Sequence, residues 1–494
     1  LFSSNHLELG EPYFNTFSSM LPTVRKQTMD LYQIDGAKYP VATAPIMGLE
    51  ITHTYYRMMQ VTSAYYAIAF WWRFLYSKDE EFLRNIAFPV LEESSKFYAA
   101  LVERTEDGLT IGPSWAPEQG TLPAYNVTND LSLIKLTWTA YVESCRVLGL
   151  GTETLPRIVE YLDAYPDYSR THDRFLDSRG APVDLLMAHT GLFSMVYPAG
   201  EVDADHPLAG VAETTIDTYH ERAQRKSFVG RSSLSDVQAW TTQALGMARL
   251  RKPERLDHYL VDVGLSEYLK PNGMITMISN GIFETREAKR NAYDIGPEPR
   301  AQHVLVAAAN TRRGRDRHFQ FLEGPSALVC ILNEMMLQSH GGIIRVFPSV
   351  PKRIKDCSFS SLRAEGAFLV SARCRDGRTE RVEVRSLAGG RCTVRIFGLG
   401  DTSRVDIAGG DGEIVATGGD TWSFDTQEGD EYTLTVNSHD EPVWKHSPQH
   451  PKRGRYVGLP FWKLSPPELK MLRDFASVFE ALPNRQFLAS QYRA

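Results

Sequence analysis

The chain has 494 residues, and its 54 Lys and Arg against 60 Asp and Glu give a formal net charge of −6. This mild acidic balance argues against a nucleic-acid partner, which would require a basic face, and no apolar run approaches the roughly 20 residues that span a bilayer. The length exceeds that of a usual single hydrophobic core, so we expect one large domain and at least one smaller one.

Residues 1 to about 340 are predicted to be mostly helical. Asp79 and Asp130 stand where helix caps are expected. Helix pairs with long loops at one end favour an (α/α)6 toroid, and loops of such length usually serve a function. Apolar residues recur every three or four positions in segments 56–76, 80–104, 129–149, 234–250, 256–268 and 324–340, and the long loops lie at 38–50, 108–128, 187–232 and 269–322.

The hydrophobic pattern changes near Gly341, where strict alternation replaces the helical period. This pattern predicts an antiparallel β-sandwich of about 100 residues. The expected fold class is mainly α with a β domain: an (α/α)6 barrel at 1–340, a β-sandwich at 341–446, and a tail with a short helix at 447–494. The alternating segments, separated by Gly and Asp turns, are 342–349, 366–374, 379–386, 390–397, 403–407 and 431–436.

The five cysteines are far apart and form no Cys/His cluster, so the sequence predicts no metal site. Cys374 and Cys392 both fall in predicted strands and could pair in a secreted protein, although nothing in the sequence requires it. No GxSxG elbow, Walker loop, dinucleotide fingerprint or HExxH motif is present. We therefore expect no cofactor.

Two glutamates are candidates for acid–base chemistry. Glu118 lies in GPSWAPEQG (112–120), where the indole of Trp115 could desolvate its carboxyl, raise its pKa and suit it to donate a proton. Glu323 stands at the start of the helix predicted over 324–340, where the helix dipole favours a charged carboxylate. An exposed turn and a routine helix start are the structural alternatives for these two residues.

Two further segments carry polar and aromatic side chains of the kind that line sugar sites. HTGLFSMVYPAGEV (189–202) places His189 and Tyr197 around an apolar stretch, and GLEITHTYYR (48–57) places His53 before two tyrosines. A lone histidine is more often structural, and aromatic residues at helical spacing more often pack in a core. The residues alone leave both explanations open.

In their order along the chain, these segments resemble glycoside hydrolase family 95, the family of inverting α-L-fucosidases. GPSWAPEQG resembles the family's Pro-Ser-x-Ser-Pro-Glu segment, whose Glu is the general acid, so the resemblance implies that role for Glu118. HTGLFSMVYP is similar to a family segment that begins with His and ends in Tyr-Pro. Three more segments resemble the family: VTSAYYAIAFWWRFLYSKDEEFL (61–83), EGPSALVCILNEMMLQSHGGIIRVFPSVP (323–351) and LRAEGAFLVSARCRDGR (362–378).

The chain departs from the family at the residues that activate water. The family pairs an Asp, in an Asp-Gly-Asn turn, with two Asn residues of an Asn-x-Asn segment. The matching turn here begins with Glu323 and lacks the Asn, and the Asn-x-Asn segment is expected just before Asn5, so we expect that an N-terminal region is absent from this sequence. The resemblance assigns the base to Glu323. If Glu323 only caps its helix, Asp130 or Glu201 is the alternative base.

The resemblance implies an inverting, metal-independent glycoside hydrolase that acts on an oligosaccharide or polysaccharide, with α-L-fucosidase-like specificity. Glu118 would protonate the glycosidic oxygen while Glu323 activates water, with the two carboxyls about 6.5–9.5 Å apart. A secreted or periplasmic location is favoured by the resemblance alone, and the sequence does not give the oligomeric state. The substrate-binding residues would be Trp115, His53, His189 and Tyr197.

Two other functions fit the same outline. A polysaccharide lyase abstracts a proton next to a uronic carboxylate, and His189, Tyr197, His303 and Arg231 could supply its site. A carbohydrate-binding relative that has lost its base is the non-enzymatic alternative. Release of an unsaturated product that absorbs in the near ultraviolet would distinguish a lyase from a hydrolase.

Overall fold

The chain divides into a helix-rich part, whose last helix ends at Met336, and a sheet-rich part that begins at Leu337. These parts are seen in a computed structural model of the protein. It describes residues 1–43, 48–50, 57–115, 123–181, 190–224, 237–265, 268–269, 275, 322–400, 403–410 and 414–437.

The helix-rich part contains nine longer helices and several short helical turns among the described residues. The helices are α1 (Glu11–Ser19), α2 (Leu21–Tyr32), α3 (Thr62–Ser77), α4 (Phe88–Ala99), α5 (Thr128–Leu148), α6 (Leu155–Asp163), α7 (Ala209–Gln224), α8 (Val237–Arg249) and α9 (Glu323–Met336). Short α-helical or 3-10 turns lie at Leu7–Gly10, Glu80–Phe82, Thr190–Phe193 and Pro253–Asp257, and π-helical turns at Leu83–Ala87 and His258–Leu265. A further 3-10 turn, His340–Gly342, lies in the sheet-rich part.

Twelve strands are described, of which the first two form a hairpin within the helix-rich part. The strands are β1 (Val102–Thr105), β2 (Gly108–Ile111), β3 (Leu337–Gln338), β4 (Ile344–Val346), β5 (Cys357–Ala364), β6 (Phe368–Arg375), β7 (Arg378–Ser386), β8 (Gly390–Ile396), β9 (Arg404–Ala408), β10 (Ile414–Gly418), β11 (Thr421–Thr426) and β12 (Glu431–Asn437).

Two hydrophobic clusters form the interior of the helix-rich part. The first gathers apolar residues of α1 to α6 and includes the fully buried Trp138, and the second gathers those of α7 to α9 and includes Trp240. Trp240 requires a glycine beside it, because a Cβ at Gly264 would lie 2.0 Å from the indole. The indole N–H of Trp240 donates to the carbonyl of Tyr259 at 2.7 Å, so the polar atom of this buried ring is satisfied.

Each of the six predicted helical segments contains an observed helix, but some predicted limits are wrong. The helix predicted over 80–104 ends at Ala99, because β1 and β2 pair around a Glu106-Asp107 turn that is followed by Gly108 at a φ of 111°. The loop predicted over 187–232 contains α7. Among the described side chains of this helix, the buried apolar ones are Ala212, Ile216 and Tyr219. Three such residues give only a weak periodic signal.

The two predicted caps have different outcomes. Asp79 caps the turn at Glu80–Phe82, since its carboxylate accepts a hydrogen bond from the Phe82 N–H at 2.9 Å. Asp130 does not cap α5, because the helix already begins at Thr128 and Asp130 lies within its first turn with a buried side chain. The Asp130 carboxyl is therefore left to interact with groups outside its own helix.

The sheet-rich part contains two five-stranded sheets, with the orders β10-β11-β8-β4-β3 and β5-β6-β7-β12-β9. Apolar side chains of both sheets share a third hydrophobic cluster that includes Val370, Val394 and Leu434. The pair of β4 and β8 is parallel, which corrects the expectation of a purely antiparallel domain. The other strand pairs that the structure describes in the two sheets are antiparallel.

Each of the six predicted strands overlaps an observed strand, whereas β3, β5, β10 and β11 are not predicted. In β5 the pairing with β6 shifts between Phe359 and Leu362, and this bulge breaks the alternation on which the prediction depended. The predicted domain limits at 340 and 446 stay predictions. The predicted tail at 447–494 lies outside the described residues.

Ion pairs join the helix-rich part to the strands. The carboxylate of Asp203, which precedes α7, lies 3.1 Å from Arg345 Nη2 on β4 and 3.2 Å from His340 Nε2. Asp205 lies 3.1 Å from Arg395 Nη1 on β8. The short segment before α7 is thus held to two neighbouring strands of one sheet.

Three general features of the described residues bear on function. No helix among them is both long and apolar enough to cross a membrane. They contain no group of three or more His, Cys, Asp or Glu side chains placed to bind a metal ion. An open cleft of about 670 Å³ is lined by charged side chains, among them Glu92, Lys96 and Arg157, and contains none of the predicted site residues that the structure describes.

The cysteine that faces Cys374 is Cys357, not Cys392. Cys357 and Cys374 are directly opposite each other in the antiparallel pair of β5 and β6, and the Cys374 thiol donates to the Lys355 carbonyl at 3.6 Å. Cys392 lies on β8 in the other sheet. All five cysteines are free thiols.

We expect oxidised glutathione to convert Cys357 and Cys374 into a cross-strand disulfide. Opposed residues of antiparallel strands have Cα atoms about 4.5 or 5.5 Å apart, which lies within the span of about 4.4–6.8 Å that disulfides bridge. Each thiol gives up its hydrogen, and glutathione disulfide is reduced to two thiols. Intact mass should fall by two hydrogens, and the loss should be absent in Cys357→Ser; glutathione adducts without that loss would contradict the pairing.

Candidate active site

A cluster of buried polar side chains lies where α5 begins. We define the Asp130 cluster as Lys38, Ser114, Asn129, Asp130 and Asp177. Asp130 is 3% exposed and Lys38 is 2% exposed, values that are rare for ionisable residues. The start of α5 is tied to Asp177, because the backbone N–H of Thr128, its first residue, donates to the Asp177 carbonyl at 2.8 Å. The cluster therefore rests on the rigid start of a long helix.

Burial controls the charge state of this cluster. It raises the pKa of Asp130 to about 7; the Ser114 hydroxyl and Lys38 oppose the rise, and the neighbouring Asp177 adds to it. Burial also raises the pKa of Asp177 to about 7 and lowers that of Lys38 to about 8. The cluster accordingly changes its protonation near neutral pH, which is a property common among functional sites.

The carboxyls of Asp130 and Asp177 each retain an oxygen with no hydrogen-bond partner among the described residues. The atoms concerned are Oδ1 of Asp130 and Oδ2 of Asp177. Leaving a buried polar atom unpaired costs about 1–3 kcal/mol. Two such carboxyls in one cluster are difficult to explain by stability alone.

The neighbouring Asn129 packs closely against the segment after residue 189. Its Oδ1 accepts hydrogen bonds from Ser194 Oγ at 2.5 Å and from Tyr65 Oη at 3.4 Å. A Cβ at Gly191 would lie 2.8 Å from the Asn129 side chain, so this backbone approaches the amide as only a glycine can. Asn129 thus links α5 to α3 and to the 3-10 turn at Thr190–Phe193.

Three of the predicted site residues, Glu118, His53 and His189, lie outside the described residues. The described residues that flank their segments nevertheless meet at the Asp130 cluster. The backbone N–H of Trp115 donates to the Met58 carbonyl at 2.8 Å. Trp115 precedes the segment with Glu118 and Met58 follows the segment with His53, so this bond connects the two segments at their described ends.

The remaining predicted residues lie in different places. Trp115 is half-buried and directly follows Ser114 of the Asp130 cluster. Tyr197 instead packs with its ring 5.3 Å from the Arg249 guanidinium carbon and 6.5 Å from the ring of Trp72. Burial raises the pKa of the Tyr197 phenol. Tyr197 therefore packs against Arg249 and Trp72, and its role as a substrate contact stays a prediction.

Glu323 is the first residue of α9, and its side chain is exposed. The alternative Glu201 is already occupied, because its carboxylate lies 2.5 Å from Lys135 Nζ and 2.6 Å from the Tyr168 hydroxyl. Of these two glutamates, Glu323 is the more exposed, since the Glu201 side chain is only 27% exposed.

Sequence reasoning found Asp130 only as a helix cap and as an alternative base, and it missed Lys38 and Asp177. A single lysine within the apolar stretch AKYPVATAPI (37–46) was the available signal for Lys38. Asp177 gives no comparable signal. Its importance depends on burial beside Asp130, which is a property of the folded chain.

Two family profiles match the chain, and they describe one family. "Glycosyl hydrolase family 95 catalytic domain" matches residues 3–176, and "Glycoside hydrolase family 95, C-terminal domain" matches residues 338–434. Together they cover more than half of the chain, in the order that the resemblance implies. The chain combines a helix-rich region with a sheet-rich C-terminal domain. It belongs to glycoside hydrolase family 95, as a divergent member.

Two individual proteins illustrate this relationship. A segment of 166 residues is 26% identical to alpha-L-fucosidase 2 of Arabidopsis thaliana, which covers 31% of this chain and 19% of that protein. The chain thus matches about a fifth of the length of this relative. A putative kojibiose phosphorylase from the human microbiome has a similar fold, with a TM-score of 0.51 and 10% identity over 89% of this chain and 59% of that one.

Proposed function

We propose that this protein is an inverting glycoside hydrolase that acts on an oligosaccharide or polysaccharide, with α-L-fucosidase-like specificity. The observation that carries the proposal is the buried Asp130 cluster. The described residues that flank the segments with Glu118, His53 and His189 meet at this cluster. The chain also belongs to glycoside hydrolase family 95. We also propose an (α/α)6 toroid at 1–340 followed by a β-sandwich at 341–446. The helix-rich and sheet-rich parts support that architecture.

In the proposed mechanism, Glu118 is the general acid and Glu323 activates the attacking water. Inversion requires a single displacement, in which water forms a bond to the anomeric carbon while the glycosidic oxygen leaves with the proton of Glu118. Glu323 accepts a proton from that water. The exposed carboxylate of Glu323 at the start of α9 is consistent with this role. Trp115, His53, His189 and Tyr197 are the proposed substrate contacts.

A screen of aryl glycosides and natural glycans tests the function directly. We expect α-L-fucosides to be hydrolysed, and proton NMR at early times should show the β-anomer as the first product. A first product with the α-configuration would contradict inversion. An unsaturated product would identify a lyase, and binding without turnover would identify a carbohydrate-binding relative.

Replacing Glu323 with Gln should lower kcat by at least about 10²-fold on every glycoside that the enzyme hydrolyses, since general base catalysis typically contributes 10²–10⁴-fold. Loss of the base affects water attack, so the loss should not depend on the leaving group. Glu201→Gln is the matched control, because Glu201 is held by Lys135 and Tyr168. Full activity in Glu323→Gln together with a large loss in Glu201→Gln would transfer the role to Glu201.

The lyase set receives no support from the described residues. Of its four proposed members, His189, His303 and Arg231 lie outside them, and Tyr197 packs against Arg249. A phenol that acts as a base must ionise readily, whereas burial raises the pKa of Tyr197. The glycoside hydrolase therefore remains the function that we propose.

A further inference from the structure

Tyr65 is the only exposed aromatic side chain among the described residues, and 47% of it is accessible to solvent. It lies near the start of α3, and no other residue of this 16-residue helix is exposed. A helix that is covered along its whole length lies inside its domain. The ring of Tyr65 therefore faces an opening within the helix-rich part and not the outer surface.

The hydroxyl of Tyr65 is directed at the Asp130 cluster. It donates to Oδ1 of Asn129 at 3.4 Å. Burial raises the pKa of the Tyr65 phenol, and the nearby charge of Asp130 adds to that rise. A ring that water reaches, with a hydroxyl that protein atoms shield, is expected in the wall of a concave site. The opening at Tyr65 is thus continuous with the surroundings of the Asp130 cluster.

The backbone that carries Tyr65 is held by buried hydrogen bonds just before it. The N–H of Ala64 donates to the Tyr98 hydroxyl at 2.7 Å. The Ser63 hydroxyl donates to the Ala37 carbonyl at 3.0 Å. A ring on a backbone fixed in this way has little conformational freedom to lose when a ligand binds, so more of the contact energy contributes to affinity.

The start of α3 is also joined to the described flank of the segment with Glu118. The backbone N–H of Gln60 donates to Ser114 Oγ at 3.3 Å, and the Gln60 side-chain amide donates to the Pro113 carbonyl at 3.1 Å. Tyr65 lies just beyond Gln60 in the chain. The exposed ring and the flank of this segment are therefore parts of one region.

We propose that Tyr65 is an aromatic platform on which a sugar ring of the substrate packs beside the Asp130 cluster. This inference deepens the proposed function and rests on it for the nature of the ligand. The face of an aromatic ring is negative and attracts the weakly positive C–H groups of a sugar, and the contact removes apolar area from water. The ring makes this contact, since the hydroxyl is already bonded to Asn129.

Steady-state kinetics of Tyr65→Phe and Tyr65→Leu on an aryl α-L-fucoside test the role of the ring. Tyr65→Phe keeps the ring and should stay within about threefold of the wild-type kcat/KM, since a hydrogen bond of 3.4 Å is weak. Tyr65→Leu should lower kcat/KM by about 10–10²-fold, mainly through a higher KM, because loss of an aromatic anchor commonly has an effect of this size. Equal losses in the two variants would assign the effect to the hydroxyl and overturn the inference.

Tyr161→Leu is the matched control for Tyr65→Leu. Tyr161 is a half-buried tyrosine on α6, with its ring 5.7 Å from the guanidinium carbon of Arg104 and 5.8 Å from the ring of Trp138. The control loses a ring from the same helix-rich part without touching the Asp130 cluster, so its kcat/KM should match that of the wild-type protein. Unchanged kcat/KM in Tyr65→Leu, or equal losses in Tyr65→Leu and Tyr161→Leu, would overturn the inference.

Hydroxyl-radical footprinting with mass spectrometry tests the contact without turnover. Tyr65 should be oxidised in the free protein, and saturating L-fucose should slow that oxidation severalfold. The half-buried Trp422 on β11 is the internal reference and should be oxidised equally with and without the sugar. Protection of Tyr65 without hydrolysis of any glycoside would support the platform and contradict the proposed hydrolase. Hydrolysis of α-L-fucosides without protection of Tyr65 would overturn the platform alone.

Discussion

Replacing Glu118 with Gln should lower kcat on substrates with poor leaving groups by at least about 10²-fold, because general acid catalysis typically contributes 10²–10⁴-fold. Gln keeps the size of the side chain but cannot give a proton to the glycosidic oxygen. Activated aryl glycosides, whose phenolate departs without protonation, should lose much less. The measurement is the dependence of kcat on the pKa of the leaving group, which should become steeper in the variant.

Glu103→Gln provides the control for Glu118→Gln. Glu103 is exposed on β1, so the same change of carboxylate to amide removes a charge without touching the Asp130 cluster. Its kinetics should match those of the wild-type protein on both classes of substrate. Unchanged turnover of poor leaving groups in Glu118→Gln would show that this glutamate is not the acid.

Replacing Asp130 with Asn should flatten the pH dependence of stability. In the unfolded chain an Asp loses its proton near pH 3.8, whereas burial raises the pKa of folded Asp130 to about 7. The folded state therefore binds more protons between these values, and the free energy of unfolding falls as the pH rises from about 4 to 7. A difference of about three pKa units corresponds to about 4 kcal/mol at most, and Asn does not titrate.

Urea unfolding at pH 5 and pH 8 measures this effect. The wild-type protein should lose more stability between the two values than Asp130→Asn, and the remaining slope should include the contribution of Asp177, whose pKa burial also raises to about 7. Asp163→Asn is the control, since Asp163 is exposed at the end of α6. Parallel profiles for Asp130→Asn and the wild-type protein would contradict the raised pKa.

Hydrophobic period predicts much of this fold, and the failures have identifiable causes. Strong three- and four-residue spacing marks α3 and α5, and alternation marks β6, β7 and β8. The hairpin of β1 and β2 is missed because its turn follows α4 without a break in the apolar pattern. The parallel pairing of β4 and β8 joins residues that lie far apart in the chain, and the local hydrophobic pattern contains no information about such long-range pairing.

The candidate site shows the same division between local and tertiary information. Family resemblance indicates Glu118 and Glu323 from short segments, and the two family profiles confirm the resemblance itself. The Asp130 cluster combines Lys38, Asp130 and Asp177, which are separated by long stretches of sequence. Their shared burial sets their pKa values, and burial of this kind follows from tertiary packing.

The ion pairs of Asp203 and Asp205 with the strands have a consequence for how the chain can be divided. Asp203 contacts both His340 and Arg345, and only 6% of the Arg345 side chain is exposed. A truncation that ends before His340 would remove Arg345, the cation that pairs with Asp203, and the hydrogen bond from His340, which is neutral because burial lowers its pKa to about 3. Breaking a buried pair typically costs about 3–5 kcal/mol. The sheet-rich part therefore cannot be removed or exchanged without loss of stability in the helix-rich part. The strands complete the charge balance of the helix-rich part, and the two parts should fold and unfold as one cooperative unit.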